Sequence, residues 1–540
     1  MCVCVYTFVE TNTYALKQFF LQQGTSTRGT RVYFEKDAWS AHSQLELSWH
    51  SDPVSEAGHA LAMAVACGVG FTIVVTEHGD AWACGRNDVG QLGLGSQADQ
   101  LLPAHVGGRG VFAGEPLVMV AACHGDSYTA GVTKDGALWR WGKGQLGHTD
   151  REPRLWPERL GREMFGGSPA VMVACGGMHM LVLTALGLVW SCDEIVCGQL
   201  GRSNAAEQPV LTLVSAERFG EAQIVMVAAG VSHSVCLGAE GMVWTWGYGN
   251  NGQLGHNDQQ KRLVPTQLAG EALGGAVAVL VAAGGFHTTV VMIDGALWAW
   301  GMGSDGQLGL GDREVRLAPV RVGVDEAFGG SPVLTVACGN RHTLAVTKAG
   351  TLWSWGQGDG GKLGHNDYDS RLVPTQVEAQ HFGYARIVCA ASGLTHSTAM
   401  TEHGGLYTWG IGRHSTWNEE EDDFEDVSMG LGHGDGETKL VPTLVAPALL
   451  QGARVGRCHG LPPLHALAFA MGKHSRLGRA AQTALAAVDK GKDCEYVLMP
   501  EEVVQRIVEA CGAWPEGRAG ELEGMVRLLG GGMINERGSM

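Results

Sequence analysis

The chain of 540 residues is short of charge, since Asp, Glu, Lys and Arg make up only 17% of it. Positive charge is the scarcer sign: 38 Lys and Arg stand against 55 Asp and Glu, a formal net charge of −17. That balance speaks against direct nucleic-acid binding, which takes clustered basic side chains on a phosphate backbone. No run of basic residues resembles a nuclear address, and no apolar run reaches the length of a membrane span. The opening MCVCVYTFVE is apolar but has neither a basic leader nor a cleavage site, so it does not read as a signal peptide. A phosphate loop ending in GK[ST], an HExxH and a GxSxG are all missing, which leaves enzymatic readings without a motif. The fourteen cysteines include no CxxC pair. Cys2 with Cys4, or Cys192 with Cys197, are conceivable metal ligands, but small buried thiols in a reducing compartment are the expected state. No metal and no cofactor is expected.

What is abundant is glycine, 81 residues, together with 16 tryptophans. The stretch GALWAWGMGSDGQLGLGD (295–312) shows how they combine: two tryptophans two residues apart, then a glycine-rich loop. Close copies are GMVWTWGYGNNGQLGHND (241–258) and GTLWSWGQGDGGKLGHND (350–367), and weaker ones begin near residues 80, 136, 187 and 404. Measured on the first aromatic of each (Trp82, Trp139, Trp190, Trp244, Trp298, Trp353, Tyr407), the steps are 57, 51, 54, 54, 55 and 54 residues. A fixed period of this size marks a repeat architecture.

Ahead of each aromatic pair lies a second motif, as in VLVAAGGFHTTVVMIDG (279–295) and LTVACGNRHTLAVTKAG (334–350). It reads as strand, tight glycine turn, strand and turn. Its key position recurs eight times, at Phe71, Tyr128, His179, His233, His287, His342, His396 and His465. After the glycine loop comes a segment such as RLVPTQL (262–268), whose proline suits a strand start or an edge strand. Each unit therefore supplies about four short antiparallel strands.

Residues i and i+2 of a strand share a face. Trp139 with Trp141, Trp244 with Trp246, Trp298 with Trp300, and Trp353 with Trp355 then lay two indoles on one side of one strand. Each indole removes roughly 200 Å² from water, on the order of 5 kcal/mol before entropy is subtracted. A lone four-stranded sheet cannot bury such a face, whereas a neighbouring sheet can. Seven such units stack into a ring: an all-β, seven-bladed β-propeller of about 54-residue repeats. The eighth motif, HALAFAM (465–471), has no tryptophan strand after it, so the ring is expected to close by overlap of its two ends. The repeated histidines are expected to hydrogen-bond a neighbouring turn rather than to do chemistry.

The pattern AAGxxHT, DGxLWxWGxGxxGQLGHND and VPTxV over residues 61–471 resembles the repeats of the regulator of chromosome condensation family. The resemblance implies a seven-bladed propeller. It also admits several functions, because the family includes the exchange factor for the small GTPase Ran, photoreceptors, ubiquitin-ligase subunits and plain scaffolds. The expected function is a non-enzymatic protein-interaction propeller, as an exchange factor or regulator of a small GTPase. The alternative is a ubiquitin-ligase substrate adaptor that docks through its C-terminal helices. The photoreceptor reading is disfavoured, because the family's G-W-R-H-T signature appears here as GNRHT (339–343), GGFHT (284–288), GVSHS (230–234) and GLTHS (393–397), with no tryptophan at the second position.

One loop departs from its siblings. The seventh swells into IGRHSTWNEEEDDFEDVSMGLGHGD (411–435), an insertion of about 14 residues over the fifth. It carries Glu419, Glu420, Glu421, Asp422, Asp423, Glu425 and Asp426, which suit a basic protein surface; the plain alternative is a disordered, solvated excursion. The GHND segments place His256 near Asp258, where an aspartate capping its own turn is a better expectation than a metal site. Residues 1–60 match no pattern and are not strongly basic, which leaves the family's chromatin-docking arm without a counterpart. Residues 472–540 read as a small α-helical tail, with Pro500 opening one helix and Val503, Val504, Ile507, Val508 and Cys511 as its apolar stripe. The expected compartment is the cytoplasm, the nucleus being compatible.

Overall fold

The computed structural model describes residues 62–446, apart from positions 108–110, 113, 124, 126, 145–151, 194–196, 204–207, 221, 324–326, 419–422 and 429. The first sixty residues, the HALAFAM segment and the C-terminal helices of the sequence reading lie outside the described residues. Seven four-stranded antiparallel sheets follow one another along the chain, spanning 62–105, 117–160, 170–213, 224–267, 278–321, 333–376 and 387–444. They are blades one to seven of a closed propeller. Within each blade the strand order is the sequence order, so the first strand is innermost and the fourth is the outer edge. The first strands of neighbouring blades approach one another around the axis.

One expectation is corrected. Each blade draws its four strands from one contiguous segment, and blade seven is complete at Leu444. Among the described residues the ring closes by side-to-side contact of blade seven with blade one, and neither blade borrows a strand from the other end of the chain. His396 and Thr72 are bonded across this seam at 2.8 Å, the Cys67 thiol lies 3.4 Å from the Thr398 hydroxyl, and the Gly434 amide donates to the Leu101 carbonyl at 3.0 Å. Such a seam works because every blade presents the same two faces to its neighbours.

The strand assignments follow from the side chains. Second strands such as HTTVVM (287–292) are buried along their whole length and rich in β-branched residues. Fourth strands such as RLVPTQ (262–267) are mostly half-buried or exposed, with the proline as the one buried residue, as an edge permits. Every first strand holds a β-bulge after its first residue, between Ala62 and Ala64 in blade one and between Ile224 and Met226 in blade four. The extra residue is apolar each time: Met63, Val118 and Leu334 are exposed, while Val171, Val225, Val279 and Val388 are half-buried. A bulge bends its strand and re-aims one side chain. Here it repeats at the same place in all seven innermost strands.

Candidate interaction surface

Strand direction alternates, so the connections sort onto two faces. The turn between the first and second strands lies at the same end as the loop between the third and fourth; this end is the front. The turn between the second and third strands shares the back with the connection to the next blade. The repeated histidines stand at the front end of the second strands and are fully buried.

Each histidine reaches the next blade. His179 Nε2 lies 2.8 Å from the Ser234 hydroxyl, His233 2.9 Å from Thr288, His287 3.0 Å from Thr343, and His342 2.9 Å from Ser397. His396 meets Thr72 and so continues the series across the seam. Each hydroxyl in turn donates to a front-loop carbonyl of the histidine's own blade, as Thr288 does to Gln253 at 2.8 Å and Thr343 to Gln307 at 2.9 Å. The hydroxyl's single proton is thereby used, so the imidazole must donate from Nε2. Nδ1 is then a bare acceptor, and in all five histidines it has no partner. Burial drives these rings toward the neutral form, with pKa values near 3 for His179, His233 and His287, near 4 for His396, and well below the ordinary value for His342.

The glycine of the AAGxxH motif is now explained. A Cβ on Gly284 would lie 2.2 Å from the His287 ring and 2.5 Å from the Gly339 carbonyl oxygen, and Gly230 is equally confined by His233 and Gly284. Glycine there lets the imidazole stand against the backbone of two blades at once.

In blades four to seven the second tryptophan joins the same network. Trp246, Trp300, Trp355 and Trp409 are fully buried, and their indole N–H groups donate to the carbonyls of Gln199, Gln253, Gln307 and Lys362 at 2.8–2.9 Å. One loop carbonyl therefore accepts both an indole and a hydroxyl from the following blade. In four blades the first aromatic of the pair packs edge-on against an aromatic of the preceding connection: Trp139 on Phe112 at 5.4 Å, Trp244 on Phe219 at 5.7 Å, Trp353 on Phe328 at 5.6 Å and Tyr407 on Phe382 at 5.1 Å. Trp298 and Trp353 stay half-buried, while Trp139, Trp141 and Trp244 are buried. The indoles are glue between blades, in two different modes.

The GHND histidines are engaged within their own loops. His256, His365 and His433 lie 2.8–2.9 Å from hydroxyls of Thr245, Ser354 and Thr408 in the third strands. Asp258 bonds Arg262 at 2.7 Å and the Gln260 amide at 3.0 Å, an aspartate capping its own turn; the Arg262 bond holds its carboxyl below the usual range. Among the described residues no group of three or more His, Cys, Asp or Glu is arranged to hold a metal ion.

The acidic insertion is built rather than loose at its base. Arg413–Asn418 and Asp423–Ser428 pair as an antiparallel hairpin, with Trp417 opposite Phe424, Glu425 opposite Thr416 and Asp426 opposite Ser415. It rises on the front face between the third and fourth strands of blade seven. Glu419, Glu420, Glu421 and Asp422 lie outside the described residues, in the segment that joins its strands.

Two features were not singled out from sequence. Lys362 replaces the loop glutamine of blade six; it is almost fully buried, donates to Gln357 at 2.8 Å, and burial brings its pKa down to about 8. At the seam, Cys84 stands where five of the blades have their second tryptophan, as Cys192 does in blade three, and Gly430 stands for the glutamine. The Cys84 thiol and the Thr72 hydroxyl donate to the Gly430 carbonyl at 3.3 and 2.8 Å, so the same two-donor pattern persists with smaller parts. Departure from the repeat was the signal available for both.

The comparisons with known proteins agree with this ring. A family model described as the RCC1-like domain matches residues 220–461, and models of the regulator of chromosome condensation (RCC1) repeat match 64–91, 78–132 and 135–183. The chain is 36% identical over 319 residues to the ultraviolet-B receptor UVR8 of Arabidopsis thaliana, covering 58% of this chain and 68% of the receptor. It belongs to the RCC1 repeat family. It is also similar to the E3 ubiquitin-protein ligase HERC2 of Homo sapiens, 30% identical over 414 residues, which is 76% of this chain and 8% of HERC2. The crystal structure of Prp20p from Saccharomyces cerevisiae, described together with its binding to Gsp1p and histones, superposes with a TM-score of 0.57 at 22% identity, covering 72% of this chain and 88% of Prp20p. That likeness concerns the fold. No helix among the described residues is long and apolar enough to cross a membrane.

Proposed function

We propose that this RCC1-like ring is a protein-interaction regulator whose partner docks on the front face against the blade-seven hairpin. The observation that carries the reading is the hairpin itself: one repeat in seven extends a short loop into paired strands, and the sequence there is dense in carboxylates. Among the described residues of blades four to seven, the front-face histidines, indoles and loop aspartates Asp258, Asp312, Asp367 and Asp435 are committed to the ring. A surface of this sign suits a basic protein partner. The family favours a small GTPase as that partner, with nucleotide exchange as the outcome of binding: a factor that prefers the nucleotide-free GTPase must weaken nucleotide binding by the same factor. Affinity capture with the intact chain, compared with a variant carrying the short loop of blade five in place of residues 413–428, tests this. The expected result is a captured GTPase that releases nucleotide faster with the intact chain than with the variant. Capture without faster release ends the exchange-factor reading and leaves a scaffold.

The similarity to HERC2 favours a second reading, a ubiquitin-ligase adaptor that docks through the segment beginning MPEEVVQRIV (499–508). Pull-down with a Skp-type linker discriminates, and absence of binding removes this reading. Light sensing is not carried over from UVR8, because Val231, Gly285, Asn340 and Leu394 stand at the tryptophan position of the signature.

A further inference from the structure

The seven repeats serve as one another's controls, and the back face holds a corner where that control fails twice within three residues. Among the described residues, connections from a fourth strand to the next blade turn through a left-handed residue after the buried apolar side chain. In four connections this residue is Gly114, Gly167, Gly275 or Gly330, with φ of 82°, 79°, 74° and 73°. Between blades six and seven it is Tyr384, with φ of 64° and 78% exposure. A side chain is strained in this region, and a ring that reaches water recovers nothing by packing. Two residues on, Pro116, Pro169, Pro332 and Val277 pack on the turn glycines Gly79, Gly136, Gly295 and Gly241 of their preceding blades, and the uncharged Gln223 on Gly187. The matching residue here is Arg386, exposed, lying over Gly350 and donating from Nη2 to the Lys348 carbonyl at 2.8 Å. Among the described residues the Tyr384 ring packs on nothing that its sibling glycines leave open, and Arg386 ties only one of its guanidinium nitrogens to the backbone.

A crevice of about 100 Å³ opens at this corner, floored by Leu352, Val377, Phe382 and Ile387, with Tyr384 and Arg386 at its rim. The charges around it are unequal in their commitments. Glu378 and Glu402 lie beside His381 and His403 at 3.6 and 3.9 Å, and the Glu402 carboxylate also accepts from the Arg386 amide at 3.3 Å. Among the described residues no carboxylate lies in ion-pair range of the Lys348 or Arg386 head groups. Exposed tyrosine and arginine beside an apolar pocket are the usual anchors of a protein interface.

The geometry points to a second docking site on the back face, at the blade six–seven corner, for an acidic peptide segment that sets one apolar side chain in the crevice and its carboxylates on Arg386 and Lys348. It refines the interaction reading above but occupies the opposite face from the hairpin, so the two fail separately.

The test is selection of random heptapeptides displayed on phage against the intact chain, followed by binding of the enriched synthetic peptide to two variants. Tyr384→Gly and Arg386→Pro restore the residues that sibling repeats already use, so both are expected to keep or raise Tm. The expected enrichment is an aliphatic or aromatic residue flanked by Asp or Glu, with affinity lowered at least tenfold by either variant and by raised salt. The chain with the shortened blade-seven loop is expected to bind the peptide unchanged. No enrichment, a basic consensus, or equal affinity for correctly folded Tyr384→Gly and Arg386→Pro chains overturns the proposal.

Discussion

Mild acid should dismantle this ring, and the histidine series sets where. Five imidazoles are held neutral by burial, with pKa values near 3 for His179, His233 and His287, near 4 for His396, and depressed well below 6.5 for His342. In the unfolded chain each takes up a proton near pH 6.5. Their contribution to stability is therefore complete above pH 6.5 and is lost as pH falls from there toward 3–4. Within that window each histidine lowers stability by about 1.4 kcal/mol per pH unit, and five acting together by about 7 kcal/mol per unit. Single domains hold roughly 5–15 kcal/mol in reserve, so unfolding is expected one to two units below pH 6.5 rather than in strong acid. The depressed carboxyls of Asp258, Asp312 and Asp435 act lower still, because their ordinary value is 3.8.

Urea unfolding followed by tryptophan fluorescence, from pH 7.5 to 4.5, reads the slope directly. The decisive variant is His287→Phe. Phe71 already fills the equivalent slot in blade one, fully buried beneath Gly68, so the ring tolerates an apolar side chain there. Thr343 keeps its bond to the Gln307 carbonyl. The variant should lose about 1 kcal/mol at pH 7.5, the worth of one hydrogen bond, yet show a pH slope shallower by one proton. At pH 5 it should match or exceed the parent. A slope unchanged by His287→Phe, or stability that stays flat between pH 6.5 and 5, would refute the neutral buried series.

Other outcomes follow from the same contacts. Trp300→Phe removes an indole N–H from the Gln253 carbonyl and leaves a void, and should cost about 2–4 kcal/mol in urea unfolding. Gly284→Ala drives a methyl into the His287 ring and should cost several times more than Gly270→Ala, where no atom lies within 4 Å and a near-neutral change is expected. Cys84 has its thiol pushed up to about 12 by burial, so the folded chain should leave it unreacted with maleimide at pH 7 and release it only on unfolding. Ultraviolet irradiation of the purified chain should leave its oligomeric state unchanged in size-exclusion chromatography, in contrast to what the similarity to a light receptor would suggest.

Most of the ring was legible because its rules are local and repeated. The WxW pair can only mean one buried face, the period fixes the blade, and a proline every fourth strand marks the edge. For the repeated histidines the sequence pointed to a neighbouring turn, whereas the bond runs to a Ser or Thr hydroxyl on the adjacent blade. That hydroxyl sits one residue after the next histidine, as Thr288 follows His287, so the pair is visible in HT and HS once blades are known to sit side by side. The mode of closure was misjudged because HALAFAM counts as half a repeat on paper. Geometry asks only for a face like the other six, and blade one provides it with Thr72.

The seam also bears on why the insertion belongs to blade seven. In four interfaces, from blades three–four to six–seven, the front loop delivers a glutamine or lysine carbonyl to an indole of the next blade, which constrains the loop's path. Blade one offers Cys84 instead of an indole, and the carbonyl it receives comes from Gly430, directly after the hairpin. A shorter acceptor geometry around a glycine frees the residues ahead of it from packing duty. The chain can then extend there without breaking the two-donor contact, as Thr72 and Cys84 on Gly430 show. By the same argument, a partner that pulls on the hairpin pulls on the closure of the ring. Gly430→Ala should report this coupling: its Cβ would lie 2.8 Å from the Phe71 backbone, so it should open the seam and lower Tm. It should also weaken whatever binds the hairpin although it touches none of the acidic residues. Weakened stability with undiminished binding would show instead that the hairpin and the seam are independent.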